Sequence, residues 1–137
     1  MSWSKLSGHL HNAQGVLNAR LHLKTAELRG PGVRLWGRPE IRNEGTLIVG
    51  DRTRFISTVA TLELAVGPGG MLDIGERCFI NYGTSIAATR LVRIGAHCNI
   101  GTHVLMMDND FHRLEPERRN EMPESAPIIL EDNVWLG

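Results

Sequence analysis

Apolar residues recur every six positions through the middle of the chain, and this spacing constrains the fold more than any other feature. A period of six fits neither the 3.6-residue repeat of a helix nor the two-residue repeat of a plain strand. Hexapeptide repeats are instead typical of parallel β-helices, with short strand faces and a bend every six residues. The residues that carry the spacing are Ile74, Ile80, Ile86, Ile94, Ile100 and Met106.

A small residue follows several of these apolar leaders, as in Ile74-Gly75, Ile94-Gly95 and Val49-Gly50. We expect each leader to point into the core and to stack on its counterpart one coil away, near the strand spacing of about 4.8 Å. Glycine and asparagine suit the bends because they tolerate positive φ angles. The coils are marked at intervals of 25, 20 and 36 residues, so two of them carry insertions.

The insertions and the N-terminus interrupt the repeat. The sequence Gly-Pro-Gly-Gly at residues 67–70 predicts a loop for the first insertion. Residues 108–127 predict a protruding loop, because their three prolines cannot donate to a strand ladder and their dense charge cannot be buried. Residues 1–32 are interpreted as a cap, either a short helix or irregular, and the repeats are expected from residue 33.

The composition excludes several classes of protein. The length of 137 residues predicts a single domain, and 15 basic and 15 acidic side chains cancel. The balanced charge disfavours a nucleic-acid or anionic-lipid partner. No apolar run approaches a membrane span, and the N-terminus lacks the apolar centre of a secretion signal, so a cytoplasmic location is expected. Cys78 and Cys98 are expected to be reduced, stacked core thiols.

Four phrases carry a resemblance to a known family: IGERCFINYG, IGAHCNIGTHV, DNDFHRLEPERR and LEDNVWLG. They resemble the hexapeptide-repeat O-acetyltransferases, in particular the group of maltose, galactoside and polysaccharide acetyltransferases. The resemblance covers residues 33–137, and its specific part is the histidine loop followed by NVWLG. It implies an all-β, left-handed parallel β-helix domain over residues 33–137, after a 1–32 cap segment. It further implies acetyl-CoA as acyl donor, a sugar or glycan acceptor, no metal, and a homotrimer with sites between subunits.

His112 is the candidate general base. Transfer of an acetyl group from a thioester to a hydroxyl requires a base, and histidine has the unperturbed pKa nearest to neutrality. It lies where the scaffold becomes a loop, and by the resemblance it matches the catalytic histidine of the family. No residue is placed as a nucleophile for a covalent acyl-enzyme, so direct transfer is expected.

Four further residues complete the candidate site. Asn81 takes a position that glycine occupies in other hexads, and its amide is a candidate donor to the thioester oxygen as charge builds. Asp108 and Asp110 flank the histidine and are candidates to orient its imidazole or to bind substrate. Trp135 stands at an outward position of its hexad, and the resemblance implies that it lies near the cofactor channel. Each residue also has a structural interpretation: a bend for Asn81, a solvated turn for the aspartates, and an interface aromatic for Trp135.

Two alternatives stay open. Some left-handed β-helices are zinc carbonic anhydrases with three histidine ligands, and His97, His103 and His112 are the candidates here. Their spacing differs from the spacing of ligands in that family, so no metal is expected. The other alternative is a non-catalytic scaffold. Family chains usually continue past the NVWLG phrase with coils that help to hold coenzyme A, so we expect this chain, which ends at Gly137, to be a fragment or a truncated relative.

Overall fold

The computed structural model describes residues 3–137. In this part of the chain one α-helix precedes fourteen short strands, and a single turn of 3-10 helix lies at Pro116–Arg118. The elements, in chain order, are α1 (Trp3–His22), β1 (Glu27–Arg29), β2 (Arg34–Gly37), β3 (Glu40–Asn43), β4 (Thr46–Gly50), β5 (Arg54–Ser57), β6 (Glu63–Val66), β7 (Met71–Ile74), β8 (Phe79–Ile80), β9 (Ser85–Ala88), β10 (Leu91–Ile94), β11 (Asn99–Ile100), β12 (Leu105–Met107), β13 (Ile128–Leu130) and β14 (Trp135–Leu136).

Every third strand belongs to the same sheet, and all strand pairs are parallel. The three sheets run β1-β4-β7-β10-β13, β2-β5-β8-β11-β14 and β3-β6-β9-β12. The register is continuous along the stack: Leu72 lies opposite Val92, which lies opposite Ile128. The chain is therefore a parallel β-solenoid of about four turns, as the six-residue spacing predicted.

The apolar leaders form the core. Each of the five isoleucines in the repeat is at most 1% exposed, and Met106 is 4% exposed. Along a strand the buried and less buried residues alternate, because successive side chains of a strand point to opposite faces. The leaders therefore point inward, as predicted, and one hydrophobic cluster runs through all the coils.

The glycines that follow the leaders have a different cause from the predicted one. The positive φ angles at this corner belong to Arg52, Arg77, His97 and Asn133. Gly75 is required by the coil above it, because a Cβ there would lie 2.6 Å from the carbonyl carbon of Gly95. The prediction that this glycine serves a positive φ was wrong, although Asn133 does occupy such a position.

Short side chains connect each coil to the next at the same corner. The Thr53 hydroxyl donates to the carbonyl of Gly75 at 2.7 Å. The thiol of Cys78 donates to the carbonyl of Gly95 at 3.0 Å, and the thiol of Cys98 donates to a carbonyl of the last coil at 3.1 Å. Both cysteines are buried and unpaired, as predicted. Burial raises the pKa of Cys78 to about 11, so this thiol keeps its proton and its donor role.

The N-terminal segment includes more regular structure than the sequence indicated. Strand β1 lies before residue 33 and pairs with β4, so the stack already begins inside the segment interpreted as a cap. Helix α1 packs against β2, an edge strand. The Asn18 amide donates to the carbonyls of Leu35 and Gly37 at 3.1 and 2.9 Å, which satisfies an edge that would otherwise be open. The helix predicted as one possibility is therefore the cap.

The longer coils place their extra residues at corners. The first insertion is divided between residues 58–62 and the predicted loop at 67–70. The second is the predicted protruding loop at residues 108–127. No helix of the described chain is long and apolar enough to cross a membrane.

Candidate functional site

The protruding loop leaves the stack after β12 and returns at β13. Buried polar side chains hold its base. Asp108 and Asn109 are 5% and 7% exposed, and they lie at the point where the loop begins. Because buried polar groups require partners, the hydrogen bonds of these two residues define how the loop is attached.

Asp108 anchors the turn that precedes β10. One carboxylate oxygen accepts from the backbone N–H and the hydroxyl of Thr89, and the other accepts from the N–H groups of Arg90 and Leu91, all within 2.7–2.8 Å. Burial alone would raise the pKa of Asp108, but these hydrogen bonds to the carboxylate outweigh it and hold the pKa below its usual value. These hydrogen bonds give Asp108 an anchoring position, and among the described residues none of them goes to His112. The predicted role of Asp108 in orienting the histidine or binding substrate stays a prediction.

Asn109 closes the base of the loop and turns the chain before the histidine. Its amide nitrogen donates to the carbonyl of Pro123 at 2.9 Å and to the hydroxyl of Ser125 at 2.7 Å. Its side-chain oxygen accepts from the N–H of Phe111 at 2.6 Å, and Phe111 has a φ of 61°. The turn places His112 directly after this fixed point. Sequence reasoning missed Asn109, although asparagine is a typical residue for a turn of this kind.

His112 is exposed on the loop. It lines a depression of about 440 Å³ together with Arg113, Leu114 and Arg119. Asp110 is also exposed, but it is not among the lining residues. The predicted role of Asp110 therefore stays a prediction, whereas the imidazole of His112 is accessible to a ligand, as a general base must be.

A second depression, of about 310 Å³, lies on the sheet that contains β8, β11 and β14. Trp135 is 82% exposed there, so it points outward as predicted. The side-chain oxygen of Asn81 accepts from the N–H of Tyr82 at 2.9 Å, which fixes the orientation of the amide. In residues 3–137 its amide nitrogen has no hydrogen-bond partner and is free to donate to a ligand. The full lining is Phe79, Asn81, Asn99, Ile100, Gly101 and Trp135.

Residues on neighbouring strands of this sheet form a continuous outward row. The register places Arg54 beside Phe79, Phe79 beside Asn99, and Asn99 beside Trp135. The guanidinium of Arg54 lies over the ring of Phe79, 5.0 Å from its centroid. The row could have been predicted from the sequence. Phe79, Asn99 and Trp135 each come directly after the last residue of an equivalent corner.

The two depressions have no lining residue in common. His112 belongs to the protruding loop, whereas Asn81 and Trp135 belong to the sheet that contains β8. A single chain therefore presents the two halves of the predicted site as separate surfaces.

The zinc alternative finds no support in the positions of the histidines. His103 lies at a corner, where its ring meets that of Tyr82 edge-on at 5.8 Å. His97 occupies another corner with a positive φ of 60°. Within residues 3–137, no group of three or more histidine, cysteine, aspartate or glutamate side chains is arranged to hold a metal ion.

Comparison with known proteins adds no family. No protein-family model matches the chain, and no solved structure matches it. The fold is therefore established by its own strand register. Any activity has to be argued from the residues of the two depressions.

Proposed function

We propose that this chain is an acetyl-CoA-dependent O-acetyltransferase of the left-handed β-helix type, acting on a sugar or glycan hydroxyl in the cytoplasm. One observation carries the proposal. A β-solenoid presents an accessible histidine on its long loop and, on a separate face, a free amide donor beside an exposed tryptophan. A base and an oxyanion donor are the two groups that direct acyl transfer requires.

The reaction transfers the acetyl group directly from the donor to the acceptor, and His112 first takes up a proton and then gives it back. The imidazole of His112 takes the proton of the acceptor hydroxyl while the hydroxyl oxygen attacks the carbonyl carbon of the thioester. A carbon–oxygen bond forms, and the negative charge on the carbonyl oxygen is stabilised by the amide N–H of Asn81. The carbon–sulfur bond then breaks, and the leaving thiolate takes the proton from the imidazolium. The products are an acetyl ester and the free thiol of coenzyme A.

The outward row supplies features that suit the donor. Arg54 and Trp135 are separated by three strand spacings, or about 14 Å. Arg54 offers a cation for a phosphate at one end, and the indole of Trp135 offers an apolar surface at the other. Asn81 lines the same depression as Trp135, where the thioester would lie. The row is thus suited to binding a long, thin ligand that is charged at one end.

The separation of the two depressions supports a homotrimer. We propose that the loop of one subunit brings His112 to the Asn81 and Trp135 depression of the next. Apolar side chains are exposed on strand β12 and on the loop, which supports contact with another subunit. They are Leu105, Met107, Phe111, Leu114 and Met122. Light scattering of the purified chain tests this step, and a mass of one subunit would contradict it.

The function is tested by measuring release of the coenzyme A thiol from acetyl-CoA with a panel of sugars. We expect sugar-dependent release that falls by about 10²–10⁴-fold in His112→Ala, because a general base typically contributes that much. The matched control is His97→Ala, since His97 is also exposed and lines neither depression. Equal release by His112→Ala and by the unmodified chain would contradict the assignment.

The role of Asn81 is tested separately. Asn81→Ala should lower the turnover number by about 10²-fold or more, because removal of one oxyanion donor typically has this effect. The variant Asn99→Ala removes another amide from the same depression and leaves intact the hydrogen bond that orients Asn81. It should have a smaller effect on the turnover number. No thiol release from any variant or from the unmodified chain would instead favour the scaffold alternative.

A further inference from the structure

No acidic residue lines the His112 depression. Two of its four lining residues are arginines, and the other two are His112 and Leu114. The loop that forms it also contains acidic residues, but none of them lines the depression. The acidic residues of the loop are Asp108, Asp110, Glu115, Glu117, Glu121 and Glu124.

The one acidic residue that approaches the lining is already engaged. Glu121 accepts from Arg118 through Nε at 3.0 Å and through Nη2 at 2.8 Å. The same carboxylate lies 3.4 Å from Nε of Arg113, an ion-pair distance without hydrogen-bond geometry. One carboxylate thus faces two guanidinium groups, and the positive charge of the pair is not fully compensated.

Both lining arginines retain unused donors. The Nε atom of Arg113 is buried and has no hydrogen-bond partner within residues 3–137. Arg119 is exposed, and in the described chain no hydrogen bond or ion pair engages its guanidinium group. A buried donor without an acceptor is unfavourable. An anionic ligand oxygen in the depression would accept hydrogen bonds from these arginines and balance their positive charge.

We propose that the His112 depression binds an anionic group of the acceptor, a carboxylate or a phosphate on a sugar. The inference rests on the proposed function, since it is His112 that must contact the acceptor hydroxyl. The guanidinium groups of Arg113 and Arg119 match the planar oxygens of a carboxylate or phosphate. The depression of about 440 Å³ also lies in the size range of small-molecule sites. The acceptor is thus a uronic acid or a sugar phosphate rather than a neutral sugar.

The phosphates of the acyl donor carry the same charge and oxygen atoms as an anionic acceptor, but the presence of His112 in this depression favours the acceptor. His112 acts on the acceptor hydroxyl, so the groups next to it in the same depression contact the acceptor. The donor has a cation of its own in Arg54, on the separate outward row. The two sources are distinguished by varying the acceptor and the donor independently.

The first arm compares glucuronate with glucose, and glucose 6-phosphate with glucose, at a fixed concentration of acetyl-CoA. We expect kcat/KM to be at least tenfold higher for an anionic acceptor, since a hydrogen bond to a charged group has about this effect. In Arg119→Gln the preference should fall by about tenfold. Arg20→Gln is the matched control, because Arg20 is an exposed arginine on α1, and it should keep the full preference. An equal kcat/KM for the charged and neutral acceptors would overturn the inference and leave the proposed function in place.

The second arm replaces acetyl-CoA with acetyl-pantetheine, which lacks the donor phosphates. If the anion belongs to the acceptor, Arg119→Gln should lower kcat/KM by the same factor with both donors. A loss that disappears with acetyl-pantetheine would assign the arginines to the donor and overturn the inference.

A binding measurement separates this inference from the proposed function. Glucuronate titrated into the unmodified chain should shift the ring resonances of His112 in NMR spectra, and the affinity should fall by about tenfold in Arg119→Gln. Binding of this kind without any acetyl transfer would support the anion site and contradict the proposed function. No shift with glucuronate or glucose 6-phosphate would overturn the anion site.

Discussion

The corner after β10 and the corner after β12 both turn the chain from one sheet to the next, but different interactions hold them in place. Residues 95–98 repeat the turn at 75–78, with the same glycine, the same thiol donor and the same contacts to the next coil. Residues 108–127 occur once, and two buried polar residues, Asp108 and Asn109, hold their base. A repeated corner is stabilised by contacts to the equivalent corner of the next coil, whereas the loop is held by the hydrogen bonds of Asp108 and Asn109. We therefore expect substitutions in the stack to lower global stability, and substitutions at the loop base to release the loop.

The largest difference should appear between apolar residues of the two regions. Ile86→Ala removes a fully buried leader and should lower the free energy of unfolding by about 2–5 kcal/mol. Leu114→Ala, in the loop, alters a side chain that is 88% exposed in the single chain, and it should change the free energy of unfolding of the dissociated subunit by less than about 0.5 kcal/mol. Urea unfolding followed by circular dichroism measures both. Similar losses in the two variants would break the distinction between stack and loop.

Close approach of the coils should make the repeated glycines the next most sensitive positions. Gly75→Ala places a Cβ 2.6 Å from the backbone of the next coil and should destabilise by about 2–3 kcal/mol. Gly67→Ala is the control, because its Cβ would lie 3.8 Å from the nearest atom and neither residue has a positive φ. Thermal unfolding of the two variants should show a clearly lower midpoint for Gly75→Ala alone.

The loop base should respond to pH through Asp108. Hydrogen bonds to the carboxylate hold the pKa of Asp108 in the folded chain below its ordinary value, so its ionised form stabilises the fold at any pH above that ordinary value. This contribution is lost as the pH falls through the folded pKa. Asp108→Asn should destabilise by about 1–2 kcal/mol at pH 7, because an amide nitrogen would face backbone donors.

Hydrogen exchange locates the effect of this substitution. In Asp108→Asn the amides of residues 108–127 and of residues 89–91 should exchange faster, while those of β7 and of residues 92–94 in β10 stay protected. The difference in stability between this variant and the unmodified chain should shrink as the pH falls below the folded pKa. A uniform increase in exchange across the stack would show that the loop base is part of the core.

The smallest effect is expected at a corner with a positive φ. Arg77 has a φ of 55°, which is unfavourable for a residue with a Cβ. Arg77→Gly should raise the free energy of unfolding by about 0.5 kcal/mol, since the relief of strain slightly exceeds the added freedom of the unfolded chain. The same change at Arg93, inside β10, should lower it instead. Denaturant midpoints of the pair decide the sign.

The stack was predictable because its information is local and repeated. The spacing of Ile74, Ile80 and Ile86 is enough to predict which side chains point inward, and proline and charge alone predict the loop at 108–127. The reason for Gly75 was not predictable in this way. Its constraint is the backbone of another coil, whose approach depends on the register and not on the identity of neighbouring residues.

The candidate site was predictable only in part. The outward position of Trp135 follows from its place in the hexad, and the same logic would have aligned Phe79 and Asn99 with it. The anchoring position of Asp108 depends on the turn at residues 89–91, which only the folded chain brings to it. Arg119 had no sequence signal at all, because nothing in the loop sequence tells which of its charged side chains face the depression.

The interval of 36 residues across the long coil bears on how this chain folds. In the regular coils a strand docks on a partner 20 residues earlier, so each coil forms by closing one loop of that length. Closing 36 residues instead of 20 costs only about 0.5 kcal/mol more, because the entropy of loop closure grows with the logarithm of length. The long loop therefore adds little to the barrier for docking the last coil. Extension of the loop between its anchors should leave the folding rate of the earlier coils nearly unchanged, so the length of this loop can change at little cost to folding.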